Sequence, residues 1–338
     1  MKYNISLFSL VFVFQLQYAQ ISDFETINFK LADSIALKYK NEPLSNLPKL
    51  SHDLTVNLNS EAEKFRALFK WICVNLSNDY GLYHRNMRKR YRFKNDSLKL
   101  SEWNDTFKRI IFKKMVKDKR TICTGYAYLL KELSNLIGLE CEIVHGYGKT
   151  STTLIYEDTA PNHSWNVVKL NGKWYLADPT WASGIPDPET NKFKFYFNDG
   201  YFLGYPELFA VNHFPLEEQW LLLSHKAPDF ETFLKNPIIY GGAYTYLKSI
   251  EKPTGMHLDI KKHDQLIFNY KLKIVIDTKS VMLRINNGFK DITIAPDYIK
   301  LEDGVLILKH RFDHKGFYDV HLLIDEMLIS THTVKVTS

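Results

Sequence analysis

Apolar residues recur at helical spacing over a segment that begins near residue 60. Ser60 and Glu63 have the spacing of a capping box, which marks a helix N-terminus. The apolar positions that follow lie on one face of this helix; they are Ala62, Phe65, Phe69, Ile72 and Leu76. Cys73 lies beside the stripe, and we interpret it as a small core residue. The mixed pattern of residues 21–58 predicts a partly helical segment.

A second helical pattern lies within residues 85–120. Its apolar positions recur at helical spacing with lysines on the opposite face; they are Phe107, Ile110, Ile111 and Met115. The pattern predicts a basic amphipathic helix that follows a loop.

A third helix is predicted to begin beside Cys123. Apolar residues follow Cys123 at helical spacing, and Gly138 suits the position just beyond the helix end. We expect Thr121 to be the N-cap, which places Cys123 in the first turn. The unpaired backbone N–H groups and the positive end of the helix dipole favour a thiolate there. A cysteine in that position is a nucleophile if a base can reach it.

The dipeptide Asn171-Gly172 lies between two alternating segments and predicts a two-residue type I′ hairpin turn. This turn places Trp165 opposite Asp178. His163 precedes Trp165 by two residues, so it shares a sheet face with Asp178 as a diagonal neighbour. Diagonal neighbours are about 7–8 Å apart at the backbone, within reach of an imidazole and a carboxylate.

A helix that starts at Cys123 and packs on the apolar residues of this face would complete a Cys–His–Asp arrangement. Asp178 would hold the imidazole, and His163 would take the thiol proton. A zinc site built from Cys123, Cys141, His145 and His163 is the alternative, but no C-x-x-C or H-x₃-H spacing supports it. The sequence therefore predicts no metal and no cofactor.

The pattern changes beyond residue 255 to short β-branched and aromatic runs separated by Asn-Gly, Asp-Gly and Lys-Gly turns. The clearest runs are Gln265–Ile276, Val281–Ile285, Val305–Lys309 and Phe317–Ile324. Six or seven strands in about 85 residues are typical of a small immunoglobulin-like β-sandwich. Gly316-Phe317-Tyr318 resembles a sandwich corner, in which the Tyr318 hydroxyl would bond to backbone.

The first twenty residues predict a signal peptide. Lys2 precedes an apolar run from Ile5 to Leu16, and a Tyr-Ala-Gln sequence follows. The run is shorter than the roughly 20 residues that a bilayer-spanning helix needs. A buried N-terminal helix is the alternative interpretation. We expect an exported protein, periplasmic or secreted, with no membrane-spanning segment.

Composition narrows the class of protein further. The chain has 338 residues, of which 45% are apolar, with 20 Tyr and 22 Phe, which excludes a disordered protein. Three cysteines exclude a disulfide scaffold. The net charge of +6 is uneven, because residues 85–120 contain 14 basic and 4 acidic residues. Two interpretations of this basic block are open: it binds an acidic polymer, or it is an ordinary solvated segment. Nucleic acid is not expected, since no recognition motif accompanies the block.

Several motifs together resemble the transglutaminase-like superfamily over roughly residues 60–225. They are WICVNLSNDY, ICTGYA, IVHGYGKT, NHSWNVVKLNGKWYLADPTW and YFLGYPELFAVNHFP. The last motifs are similar to the branch that includes kyphoscoliosis peptidase and cytokinesis-type proteins. The resemblance implies a papain-related α+β core, with Cys123 at a helix start and His163 and Asp178 on adjacent strands. Thr121-Ile122 departs from the Gly-Val that is usual in the family.

The resemblance also implies a domain organisation and an activity. We expect a signal peptide at 1–20, a transglutaminase-like catalytic domain with a basic insertion at 21–228, a linker at 229–255 and the sandwich at 256–338. The activity implied is acyl transfer on a protein or peptide amide through a thioester, ending in hydrolysis or in cross-linking. The alternative is a non-catalytic binding or scaffold protein of the cell envelope.

The sequence leaves the roles of several other residues open. Cys141 is interpreted as a core residue, although a disulfide with Cys73 is an alternative. His145 and His213 lie in family-like motifs, and packing is the expected role of both. Three tryptophans are expected either to line a substrate groove or to belong to the core; they are Trp165, Trp174 and Trp181.

Overall fold

The computed structural model describes residues 21–153, 155–187, 189–190, 192–224 and 226–338. The predicted signal peptide lies outside these ranges. The helices are α1 (Lys30–Lys38), α2 (Leu47–Thr55), α3 (Glu61–Asn75), α4 (Tyr80–Arg92), α5 (Ser97–Asp118), α6 (Cys123–Asn135), α7 (Pro179–Ser183), α8 (Pro206–Asn212), α9 (Phe230–Lys235) and α10 (Gly241–Tyr246). Among the described residues, no helix combines the length and the apolar character that crossing a bilayer requires.

The strands alternate with these helices in the first part of the chain and then form the C-terminal part. The first nine are β1 (Ser77–Asn78), β2 (Arg120–Thr121), β3 (Cys141–Gly148), β4 (His163–Leu170), β5 (Lys173–Ala177), β6 (Gly184–Pro186), β7 (Phe193–Phe195), β8 (Phe202–Gly204) and β9 (His213–Pro215). The rest are β10 (Ile238–Ile239), β11 (Leu247–Lys252), β12 (His257–Lys261), β13 (Gln265–Leu272), β14 (Val281–Asn286), β15 (Asp291–Ile294), β16 (Tyr298–Glu302), β17 (Val305–Arg311), β18 (Gly316–Ile324) and β19 (Met327–Thr337). The fold is therefore α+β, as predicted.

Helix α3 begins where the capping-box pattern predicted. The Ser60 hydroxyl accepts from the Glu63 N–H at 3.2 Å, and the Glu63 carboxylate accepts from the Ser60 N–H at 3.0 Å. These bonds satisfy backbone donors that the helix cannot use itself. The predicted apolar stripe and Cys73 are buried in the main core.

The basic block consists of two helices, α4 and α5, so the prediction of a loop before the amphipathic helix was wrong. Aspartates cap both helices, because Asp79 accepts from the Leu82 N–H and Asp96 accepts from the Lys99 N–H, each at 3.0 Å. The buried Asp79 carboxylate also pairs with Lys114. The predicted apolar face of α5 is correct, since Phe107, Ile111 and Met115 are buried. Paired charges and caps thus hold this basic segment in helices.

The first part of the chain is built around an antiparallel sheet in the order β8-β5-β4-β3-β9, against which α6 packs. The predicted hairpin register is confirmed, because Leu170 pairs with Lys173 and Asn166 with Ala177. Asn171 and Gly172 both have positive φ, 49° and 81°, as a type I′ turn requires. The local turn therefore sets which residues of β4 and β5 share a face.

Two sheets form the C-terminal sandwich. One has the order β10-β19-β18-β14-β15 with β12 on β19, and the other has the order β11-β13-β17-β16. The four predicted runs all contain strands at nearly the predicted positions. The predicted corner contact is confirmed, since the Tyr318 hydroxyl donates to the His314 carbonyl at 2.9 Å.

The segment 229–255, which the sequence predicted as a linker, contains α9, β10, α10 and β11. β10 pairs with β19, and β11 pairs with β13, so both strands extend the sandwich sheets. Ile239 and Leu247 are buried in the core. Prolines and glycines suggested a connector, but burial of these apolar side chains gives the segment its structure.

Candidate active site

Cys123 is the first residue of α6, and its side chain is 7% exposed. The N-cap is Ile122 rather than Thr121, and no side chain caps the helix. Thr121 is unavailable because it belongs to β2, where it pairs with Asn78 and its carbonyl accepts from the Asp79 N–H at 2.8 Å. Cys123 nevertheless lies in the first turn of α6, as predicted. Backbone N–H groups in this turn have no intrahelical acceptor.

His163 and Asp178 meet as the hairpin geometry predicted. His163 Nε2 lies 2.7 Å from Asp178 Oδ2, and both side chains are buried. The other carboxylate oxygen accepts from the N–H groups of Thr180 at 2.8 Å and Trp181 at 3.1 Å. Asp178 is thereby the N-cap of α7, which fixes the carboxylate in one orientation.

The three predicted residues form one electrostatic unit. Burial opposes the charge on His163, but the charge and hydrogen bond of Asp178, together with a hydrogen bond to Cys123, outweigh it and raise the pKa to about 10. Burial likewise opposes ionisation of Asp178, yet His163 and His213 hold its pKa far below the usual range. Because Asp178 engages Nε2, the ring nitrogen left for Cys123 is Nδ1.

Cys123 and His163 lie at the wall of a cleft with a volume of about 560 Å³. Residues of α4 and α5 also line this cleft, so the basic block borders the site. Arg90 and Lys108 contribute positive charge, and none of the described lining residues is an Asp or Glu. Arg90 is held in place, since Nη1 donates to the Pro161 carbonyl at 3.0 Å.

The tryptophans lie behind the site rather than along the cleft. Trp181 stacks on the His163 ring with centroids 4.6 Å apart, and Trp165 lies 5.9 Å from it. Trp174 packs against Trp220 elsewhere. None of the three predicted tryptophans is among the described residues that line the cleft. Their core interpretation is therefore correct.

His213 is the functional-site residue that sequence reasoning missed. It is 35 residues from Asp178 in sequence, yet its Nε2 lies 3.2 Å from Asp178 Oδ2. Only the pairing of β9 with β3 brings it there, and a single histidine in the sequence carries no signal of that pairing. His145 makes a different contact, with Nδ1 2.9 Å from the Ser164 hydroxyl on the wall of the cleft.

The remaining cysteines are structural. Cys73, Cys123 and Cys141 are all free and buried, so the alternative of a Cys73–Cys141 disulfide is wrong for this structure. Burial raises the pKa of Cys141 to about 12 and that of Cys73 well above its usual value. Both thiols therefore stay protonated and serve as packing groups.

Ligand atoms of His163, Asp178 and His213 lie within 4.8 Å of one another. The N–O separations of 2.7 and 3.2 Å are those of hydrogen bonds. A metal bound by these atoms would lie between them, about 2.0–2.2 Å from each. Hydrogen bonds from the two imidazole rings to one carboxylate account for the arrangement without an ion.

Comparison with known proteins indicates the family of part of the chain. Residues 48–179 match the model of the transglutaminase-like superfamily. This segment of the chain carries a transglutaminase-like domain. The chain is 33% identical over 184 residues to kyphoscoliosis peptidase of Homo sapiens, which covers 53% of this chain and 24% of that protein. It is 24% identical over 212 residues to hillarin of Drosophila melanogaster, covering 59% and 23%.

A third relative is cytokinesis protein 3 of Schizosaccharomyces pombe, 34% identical over 90 residues, which covers 26% of this chain and 10% of that protein. These relatives support the branch that the sequence motifs indicated. The chain spans about a quarter or less of the length of these curated relatives.

Proposed function

We propose that this protein is a cysteine acyl-transfer enzyme that acts on protein or peptide amides. The observation that carries the proposal is that His163, hydrogen-bonded to the buried Asp178, lines the same cleft as Cys123. A transglutaminase-like domain supports the same class of chemistry. Cys123 is the nucleophile, His163 is the general base and acid, and Asp178 orients the imidazole.

In the proposed reaction the Cys123 sulfur attacks the amide carbonyl carbon, and the C–N bond breaks. A thioester forms, and the thiol proton passes through His163 to the departing amine. Water then attacks the thioester, giving a carboxylic acid and restoring the thiol. A lysine amine in place of water would instead give a cross-link. We favour hydrolysis, because water is always present at the cleft.

Two groups are suited to stabilise the oxyanion of this reaction. The Cys123 N–H lies in the first turn of α6, where backbone donors have no intrahelical acceptor. Tyr83 of α4 lines the cleft, and its pKa is raised to about 12 by burial and by the neighbouring Cys123, so its hydroxyl keeps the proton. We assign Tyr83 as the second donor; Tyr83→Phe should lower kcat while leaving KM nearly unchanged.

Thiol alkylation followed by mass spectrometry tests the nucleophile. Iodoacetamide at neutral pH should label Cys123 faster than free cysteine, and His163→Ala should abolish the difference. His257→Ala is the matched control, since His257 is exposed on β12. Labelling no faster than free cysteine and unchanged by His163→Ala would instead support a non-catalytic scaffold protein.

The reaction type is tested on cell-envelope proteins, because we also propose export from the pattern of residues 1–20. These proteins are incubated with active protein or with Cys123→Ser, and mass spectrometry then compares the products. New termini indicate a peptidase, deamidated glutamines a deamidase and Gln–Lys links a cross-linking enzyme. No difference between the two incubations would count against catalysis on envelope proteins.

We further propose that the basic wall of the cleft favours acidic substrate segments. Arg90 and Lys108 line the cleft without a described acidic neighbour in the lining. A fluorescent polyglutamate peptide should bind Cys123→Ser at low salt, and Arg90→Gln with Lys108→Gln should weaken binding about tenfold. Arg88→Gln with Lys113→Gln is the control, since both side chains are exposed on the same helices outside the lining. Equal loss in both pairs would refute a role specific to the cleft.

A further inference from the structure

One oxygen of Asp178 contacts two histidines. His163 Nε2 lies 2.7 Å from Oδ2, and His213 Nε2 lies 3.2 Å from the same atom. The other oxygen is occupied by the backbone N–H groups at the start of α7. The carboxylate is completely buried. His213 therefore competes with His163 for the one oxygen that orients the proposed base.

The His213 ring is held rigidly in this position. The His213 ring stacks on Phe209 with ring centroids 4.3 Å apart. The centroid of the Trp181 ring lies 4.4 Å from that of His213. His213 Nδ1 lies 2.9 Å from Asn212 Oδ1, and the same oxygen accepts from the Tyr244 hydroxyl at 2.5 Å. A ring that served only to fill space would not need polar contacts at both nitrogens.

We propose that His213 is a positioning residue, which donates its Nε2–H to Asp178 Oδ2 and so limits how tightly this carboxylate holds the His163 imidazolium. A hydrogen bond to a carboxylate oxygen spreads part of its negative charge onto the donor. With His213 in place, less of that charge acts on His163. The imidazolium can then release its proton to the departing amine more easily, a consequence that rests on the proposed function.

The proton state of His213 agrees with this role. Burial lowers the pKa of His213 to about 4, so the ring is neutral near pH 7 and has a single N–H. Both ring nitrogens face oxygens that accept hydrogen bonds, Asp178 Oδ2 at Nε2 and Asn212 Oδ1 at Nδ1. Only the Asp178 oxygen carries a charge, and a bond to a charged acceptor is the stronger one, which places the single proton on Nε2.

Other ionisable groups around Asp178 do not change charge near neutral pH. The neighbours from the surrounding helices all have raised pKa values because they are buried, and therefore stay neutral; they are Cys73, Tyr126, Tyr201 and Tyr244. Three charged residues act electrostatically on Cys73 rather than on His213; they are Asp199, Arg66 and Lys70. Cys123, which lines the cleft with His163 and helps to raise its pKa, is the remaining group near the network.

Nuclear magnetic resonance of the full chain labelled with ¹⁵N-histidine tests the proposal without requiring turnover. His213→Phe keeps the ring shape and removes the donor, whereas His213→Gln keeps an N–H near the position of Nε2. We expect His213→Phe to raise the pKa of His163 by about one unit, a tenfold gain in proton affinity. The low-field His163 proton should move further downfield. His213→Gln should leave both close to the wild type.

An unchanged His163 signal in His213→Phe, or equal shifts in both variants, would overturn the proposal. The wild-type spectrum is a test that needs no variant, since His213 must show the neutral Nε2–H form between about pH 5 and 9. A proton on Nδ1 instead would equally overturn it. If Cys123 proves inert towards alkylation, the proposed function fails while these signals can still support or refute the role of His213.

Discussion

Replacement of Asp178 by asparagine removes one charge from the site and changes little else. The amide has the shape of the carboxylate, and its oxygen can still accept from the N–H groups of Thr180 and Trp181. The negative charge opposite His163 is lost. The burial that opposes a charge on the imidazole remains.

The expected magnitude follows from the pKa of His163. In the native site Asp178 and Cys123 overcome burial and raise this pKa from 6.5 to about 10. Without the carboxylate it should fall to 6.5 or below, a change of more than three units. Each unit is 1.36 kcal/mol, so the imidazolium loses about 5 kcal/mol of stabilisation. The equilibrium between the thiolate–imidazolium pair and the neutral pair should therefore shift by about 10³ or more towards the neutral pair.

The assay is the rate of Cys123 alkylation by iodoacetamide as a function of pH, with the labelled residue identified by mass spectrometry. At pH 6, Asp178→Asn should react about 10³ times more slowly than the wild type. Asp264→Asn is the matched control, because Asp264 is exposed in a turn of the sandwich.

Equal rates for Asp178→Asn and the wild type at pH 6 would refute the reasoning, provided that circular dichroism shows both proteins folded. The same conclusion would follow if Asp264→Asn lost as much reactivity as Asp178→Asn. Either result would mean that the Asp178 charge does not set the proton affinity of His163.

Three further predictions concern stability. Ser60→Ala removes the capping box with Glu63 and should cost about 1 kcal/mol in urea unfolding; no loss would contradict the role of the cap. Gly125→Ala would bring a Cβ to 1.9 Å from Thr121 Oγ1, so we expect a loss of about 1–3 kcal/mol, partly restored by adding Thr121→Ala. The pKa of His163 is raised in the folded state. The stability that its charged form contributes is therefore complete below pH 6.5 and is lost as the pH rises through about 10. The free energy of unfolding should therefore fall over that range in the wild type relative to His163→Gln, and parallel pH profiles would argue against it.

Features that depend on short stretches of chain could be predicted from the sequence. The capping box at Ser60, the helix start at Cys123 and the turn at Asn171-Gly172 each depend on residues a few positions apart. The turn alone sets the register that puts His163 and Asp178 on one face, because a sheet repeats every two residues. Much of the candidate site was therefore predictable.

Tertiary structure decided the features that join distant segments. Pairing of β9 with β3 brings His213 to Asp178. Packing of α4 and α5 beside α6 places Arg90 in the lining of the cleft that contains Cys123. The 229–255 segment acquires its strands by pairing with β13 and β19. Periodicity and spacing describe only neighbours along the chain, whereas these contacts arise when buried surfaces and unpaired strand edges find partners far away in sequence.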